Sequence, residues 1–403
     1  HKKAFCQIEK SEEQKELLPD TVKNLTARLT KWQDPYDNSY IIRKRMFRDR
    51  QREQCSAGSP RKGNWTMAAL RMNGGEEKEE KAMEFTGKQV QEARERIAPF
   101  VDETPLLRLK ALDAYLGCQV YVKAECMQKT GAFKFRGAMN RILTLTDEEL
   151  SRGIVAASSG NHGRAIAYGA RMKGARAVIV MPRTAPEAKK KAIMELGAEV
   201  VLCEAPERFE VAERICMERG STMIPPYDDY DVMAGQGTLG LELMEQCPEL
   251  STVIVPASGG GLIGGVSAAV KSVSDHTKVY GAEPSALPRY PESLKAGEPV
   301  LVPMKKSLAD ALVSQRPGLK NFPVVKAYVD GFASVDDPFM LKGMKLLLME
   351  GKVLAEPSAC IGIGAVLEGR IPVGKEDKVC FVISGGNLGF EQLEILKDAA
   401  QFA

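Results

Sequence analysis

The stretch GIVAASSGNHGRAIAYGARMKGARAVIVMP, Gly153–Pro182, contains the fold in miniature. GIVAASS is a short apolar run that ends in hydroxyls, as expected of a strand buried on both faces. NHGRAIAYGARMKG has helical spacing and stops at Gly174, the residue best suited to a left-handed helix cap. ARAVIVMP is a second strand. Working outward, PEAKKKAIMELG, AEVVLCE, RFEVAERICMERG and STMIPP continue the alternation. Short apolar strands alternating with glycine-terminated helices predict βαβ units and a parallel sheet. Residues 149–229 are expected to form one small α/β domain.

A second series follows. LGLELMEQC reads as a helix, STVIVPA as a strand, SGGG as a loop, LIGGVSAAVKSVSD as a helix and KVYGAE as a strand. Near the C-terminus DKVCFVIS is another strand that runs into GGN. Residues 83–148 and 230–403 are therefore expected to make a larger domain. The first 82 residues read differently. They hold Trp32 and Trp65 but no sustained apolar period, and they close on NGGEEKEEK just before Met83. We expect a disordered extension there, or translated upstream sequence. The codons for Lys78, Glu79 and Glu80 can spell a ribosome-binding site, which would make Met83 the true start.

Composition narrows the function. The chain has 403 residues, 44% of them hydrophobic, enough for a sizeable core, and a net charge of only +3. Bulk charge points to no nucleic acid, and the basic cluster IIRKRMFRDRQR is read as a solvated tail. Nine scattered cysteines without a CxxC pair suggest free thiols in a reducing compartment, hence the cytoplasm. With only His1, His162 and His276, no histidine-rich metal site is expected. No run is long and apolar enough for a membrane span.

Four turns carry the chemistry. STVIVPASGGGLIGG is a strand, a glycine turn and a helix, so backbone N–H groups and the helix dipole converge on one anion there, with a plain tight turn as the alternative. Gly259, Gly261 and Gly264, with Glu283 after the next strand, also satisfy a dinucleotide pattern. KTGAFKFRGA sets Lys134 at the start of a helix between Phe133 and Phe135. An amine so placed, partly desolvated, suits Schiff-base chemistry, whereas Lys129 has a more polar, surface-like setting. SSGNHG (Ser158–Gly163) offers small hydroxyls and N–H groups to a carboxylate, although a capped helix start explains it too. SGGN (Ser384–Asn387) again ends a strand on glycines. Ligands of open parallel sheets gather outside the carboxyl ends of the strands, where these loops would meet. NAD accounts for the glycines but gives Lys134 no task. A Schiff-base lysine beside a monophosphate cradle has one joint answer, pyridoxal phosphate.

At this point the chain from about Met83 to Ala403 resembles the fold-type-II pyridoxal-phosphate enzymes, specifically the serine/threonine dehydratase and serine racemase group. KTGAFKFRGA, SSGNHG, PPYDDYDVMAGQGTLGLE, SGGGLIGG, AEPSA (Ala355–Ala359) and SGGN carry the likeness. The resemblance implies a tryptophan-synthase-β-like fold, two open parallel-sheet α/β domains with the active site between them. It implies that Lys134 bears the cofactor and later acts as the base. Phe133 packs near the ring, Asn161 meets its 3′-oxygen and Ser384 faces its nitrogen. Ser258, Gly259, Gly260, Gly261 and Leu262 cradle the phosphate. Ser158, Ser159 and His162 line the side of the substrate carboxylate, and Ser159 stands where a racemase has its second acid–base group. The expected activity is an L-threonine/L-serine dehydratase, with a serine racemase or a hydroxyaspartate dehydratase or racemase as the alternative. A non-catalytic cofactor-binding protein is a third reading, which an intact Lys134 opposes. A small amino-acid substrate and a homodimer or homotetramer are implied.

The likeness is mixed in detail. SSGNHG and AEPSA side with racemases and hydroxyaspartate dehydratases, whereas IPPYDD and GLIGG side with catabolic threonine dehydratases. Glu283 fits the first carboxylate of the racemase's divalent-cation site, but Arg289 stands where a second carboxylate is expected, so no metal is assigned.

Overall fold

The computed structural model describes residues 85–398, so the readings made for residues 1–82 lie outside the described residues. Ten strands are described: β1 Leu106–Arg108, β2 Gln119–Lys123, β3 Ile154–Ala157, β4 Ala177–Pro182, β5 Glu199–Cys203, β6 Thr222–Met223, β7 Thr252–Pro256, β8 Lys278–Pro284, β9 Gly331–Val335 and β10 Lys378–Val382. They form a six-stranded sheet in the order β1-β2-β10-β7-β8-β9 and a four-stranded sheet in the order β5-β4-β3-β6.

All pairings are parallel except β1 with β2, an antiparallel edge that the sequence pattern did not signal. The opening stretch shows why its strands are apolar throughout. Ile154 and Ala156 face one hydrophobic cluster while Val155 and Ala157 face another. The next strand alternates likewise, with Ala177, Ile179 and Met181 on the first face and Val178 and Val180 on the second. Strand side chains alternate with a period of two, so a sheet covered by helices on both faces needs an unbroken apolar run. In the larger sheet, Val379 and Phe381 of β10 pack to one side and Cys380 and Val382 to the other.

The strand order is what positions the site. β10, the last strand in the chain, lies between β2 and β7. The carboxyl ends of β2, β10 and β7 therefore open side by side. β2 feeds the lysine loop, β10 feeds SGGN and β7 feeds SGGG. The fourth turn, SSGNHG, follows β3 of the smaller sheet and starts the Asn161–Met172 helix.

Candidate active site

The lysine loop is fixed by backbone bonds to the SGGN turn. Phe133 N donates to Ser384 O at 3.0 Å, and Gly386 N donates to Gly131 O at 2.9 Å. Lys134 then opens the Lys134–Leu143 helix. Its Nζ donates to Pro226 O at 2.6 Å and lies 5.0 Å from the centroid of the Phe133 ring. Burial lowers its pKa to about 7, against the opposing pull of Glu356. Lys129, by contrast, is exposed, with Nζ donating to Phe100 O and facing Asp102 at 3.4 Å. Phe135 does not flank the amine as expected. It is fully buried in the cluster beneath the smaller sheet, edge-on to Tyr168, because successive helix residues point in directions about 100° apart.

Two residues on, Arg136 anchors the same helix. Its guanidinium is fully buried, donating from Nε to Glu125 at 2.8 Å and from Nη2 to Glu242 at 2.8 Å. Glu242 also accepts from the buried Lys123 at 2.8 Å. Two cations and two carboxylates thus cancel in the interior.

The glycine turn is held from outside. Gly260 sits at φ +101, and a Cβ there would come within 2.5 Å of Tyr290 Oη. A Cβ on Gly259 would strike the Tyr227 ring, and one on Gly261 would strike Gln236. Gly259 O accepts from Gly318 N and from Asn321 Nδ2, both at 2.9 Å. Among the described residues, no protein acceptor takes the N–H of Gly259 or Gly260. Leu262 follows in the first turn of the Gly261–Val273 helix, buried. Around this turn Tyr290 Oη, Asn321 Oδ1 and Gln236 Oε1 are buried with no hydrogen-bond partner among the described residues.

In SSGNHG, Ser158 Oγ accepts from Gly160 N, and the Ser159 hydroxyl makes no hydrogen bond among the described residues. Asn161 is clamped at both ends of its amide. Nδ2 donates to Glu356 at 3.1 and 3.2 Å, and Oδ1 accepts from Asn387 Nδ2 at 2.9 Å. Asn387 Nδ2 also donates to Thr130 O at 2.7 Å, joining the SSGNHG, SGGN and lysine loops. His162 is buried rather than presented at the surface of the turn. Nε2 bonds to Ile224 O at 2.9 Å, Nδ1 has no partner among the described residues, and burial pushes its pKa down to about 3, so the ring is neutral. Ser384 is buried beside the lysine loop.

Sequence reasoning missed Glu356, although it lies inside the AEPSA stretch. It is buried, its N donates to Gly385 O at 3.0 Å, and burial raises its carboxyl to about 7. A glutamate between apolar residues was the available signal. Arg289 and Glu283 form a buried ion pair at 3.4 Å.

A family model described as "Pyridoxal-phosphate dependent enzyme" matches residues 97–385. The chain is 40% identical over 312 residues to the L-threonine ammonia-lyase of Thermotoga maritima, covering 77% of each. It is 39% identical over 305 residues to the serine racemase of Oryza sativa subsp. indica, covering 74% of this chain and 90% of that one. The crystal structure of serine racemase from Dictyostelium discoideum superposes with a TM-score of 0.70 at 37% identity, covering 75% of this chain and 99% of that one.

The protein belongs to the pyridoxal-phosphate-dependent enzymes, and its fold is of type II. The local chemistry fits that cofactor. A desolvated amine lies beside an aromatic ring, and a glycine cradle with free N–H groups opens on a helix N-terminus suited to a phosphate. No helix among the described residues is long and apolar enough to cross a membrane.

Proposed function

We propose that this enzyme is an L-threonine/L-serine ammonia-lyase, releasing ammonia and 2-oxobutyrate or pyruvate by β-elimination. Bound pyridoxal phosphate supplies the electron sink that makes the Cα proton removable. Lys134 would hold the cofactor through its amine and, with that amine free, would take the Cα proton as general base. Phe133 packs near the ring. Ser258, Gly259, Gly260, Gly261 and Leu262 hold the phosphate. Asn161, its amide oriented by Glu356 and Asn387, would meet the ring oxygen. Ser384 would face the ring nitrogen, where a hydroxyl supplies no proton as a carboxylate partner would. A hydroxyl partner at that position would suit a reaction completed by loss of the β-hydroxyl as water. Ser158 and Ser159 receive the substrate carboxylate, and neutral His162 supports their turn from beneath through Ile224.

One contrast carries the choice of elimination. Lys134 has the pKa of a working base, near 7, whereas the Ser159 hydroxyl has no partner among the described residues to activate it. Racemisation needs that second acid–base group on the opposite face. The racemase reading draws support from the 39% identity to the rice serine racemase. Hydroxyaspartate is a third candidate substrate for the same chemistry.

The test is to give the purified protein L-serine, L-threonine and hydroxyaspartate and to follow oxo acid and D-isomer together. We expect oxo acids from L-serine and L-threonine with little D-serine. Ser159→Ala should abolish that trace while sparing much of the lyase activity. D-serine formed as fast as pyruvate would replace the lyase reading with the racemase one. The same reading takes residues 149–229 as the small domain, the cytoplasm as the location and a homodimer or homotetramer as the assembly, which light scattering on the purified protein checks.

A further inference from the structure

One fully buried cation reaches the glycine turn from behind. Arg289 begins the Arg289–Ala296 helix and has no exposed surface. Besides pairing with Glu283, its Nη2 donates to Leu312 O at 2.8 Å and its Nη1 donates to Ser258 Oγ at 2.9 Å. Ser258 Oγ accepts a second bond, from Ser314 N at 3.3 Å. A hydroxyl has two lone pairs and one proton. Both lone pairs of Ser258 are occupied by donors that cannot accept, so only its proton is left to give. No acceptor among the described residues takes that proton. Ser258 is the first residue of a turn whose next two N–H groups are also uncommitted.

We propose that Arg289 is a positioning residue for the cofactor phosphate: with Ser314 N it fills the acceptor side of Ser258 and commits that hydroxyl to donate to the phosphate. This rests on the assignment of the SGGG turn to the phosphate in the proposed function. A phosphate dianion offers acceptors only, and a serine free to rotate would spend part of its time presenting a lone pair to it. The guanidinium removes that alternative from behind the turn, where burial keeps water from competing for the Ser258 hydroxyl. The device is local to the phosphate. It makes no contact with the ring site, so it should leave recognition of the ring untouched.

The test compares equilibrium binding of pyridoxal phosphate and of pyridoxal, which lacks the phosphate, to cofactor-free protein. Ser258→Ala should weaken pyridoxal phosphate about tenfold, the scale of one charge-assisted hydrogen bond, and leave pyridoxal unchanged. Arg289→Gln combined with Glu283→Gln removes the ion pair as a unit, so no lone charge is left buried. It should show the same selective loss, and adding Ser258→Ala to it should cost little more, because the residues act through one bond. Should that pair not fold, Arg289→Lys carries the comparison, since a single ammonium cannot serve Ser258 and Leu312 with guanidinium geometry. Equal weakening of both ligands, unchanged binding in Ser258→Ala, or fully additive losses would overturn the proposal while leaving the cofactor assignment intact. Wild-type protein that binds pyridoxal phosphate no better than pyridoxal would overturn the phosphate assignment and this proposal together.

Discussion

Lys134 and Glu356 are an amine and an acid that burial moves toward each other, both to about 7. Their effects on stability have opposite signs. Between the ordinary carboxyl pKa and about 7, the folded chain holds the Glu356 proton more tightly than the unfolded chain, so stability falls as pH rises. Between about 7 and the ordinary lysine value of 10.5, the unfolded chain holds the Lys134 proton more tightly, so stability rises with pH. Chemical denaturation of cofactor-free protein across this range should show both slopes as differences from variants. Glu356→Gln should remove the acid-side fall and Lys134→Met the alkaline rise. Curves parallel to wild type in both variants would mean that neither group is displaced. Lys134 was legible in the sequence because it opens a helix beside Phe133, although its other sequence neighbour, Phe135, turns into the core. Glu356 was not, because its meaning depends on Asn161, 195 residues away.

The Lys134–Leu143 helix is anchored by Arg136, whose carboxylate partners come from the loop after β2 and from the Tyr230–Gln246 helix. Removing Arg136 leaves two buried carboxylates facing one lysine. Arg136→Ala should cost about 3–5 kcal/mol by denaturant titration, and Arg136→Lys should recover only part, since it lacks the planar fork. A loss below about 1 kcal/mol would show the network to be slack. Helices also meet at bare backbone. A Cβ on Gly237 would lie 2.6 Å from Gly265 O, so Gly237→Ala should force the Tyr230–Gln246 and Gly261–Val273 helices apart and lower the melting temperature. Period and glycine caps made these helices readable in the sequence. Their partners were not readable, because helical spacing shows that a face is buried and not what buries it.

Across the whole molecule, the decisive feature is a strand order no local pattern contains. Apolar runs identified β3, β4, β7 and β10, but the insertion of β10 between β2 and β7 is a matter of pairing at long range. The three-residue β1 is too short to leave a periodic mark. The general rule that ligands gather at the carboxyl edge was enough to foresee that the lysine, SGGN and SSGNHG loops meet, though not the hydrogen bonds through Asn387 that join these three. A cofactor bound by the folded chain alone stabilises it by mass action, by about 2.7 kcal/mol at a hundredfold excess over the dissociation constant. Stripping pyridoxal phosphate should therefore lower the melting temperature by a few degrees, with full recovery on adding it back. A melting temperature indifferent to the cofactor would place its site outside the cooperative fold.

The central claim is that Lys134 carries the cofactor, and one measurement addresses it directly. Holoenzyme is reduced with borohydride to fix the cofactor on its amine, digested, and sequenced by mass spectrometry, with the near-visible absorption followed in parallel for Lys134→Ala and Lys129→Ala. The label should lie on Lys134 alone, and the absorption should vanish in Lys134→Ala and persist in Lys129→Ala. A label on Lys129, with absorption retained in Lys134→Ala, would contradict the account at its root.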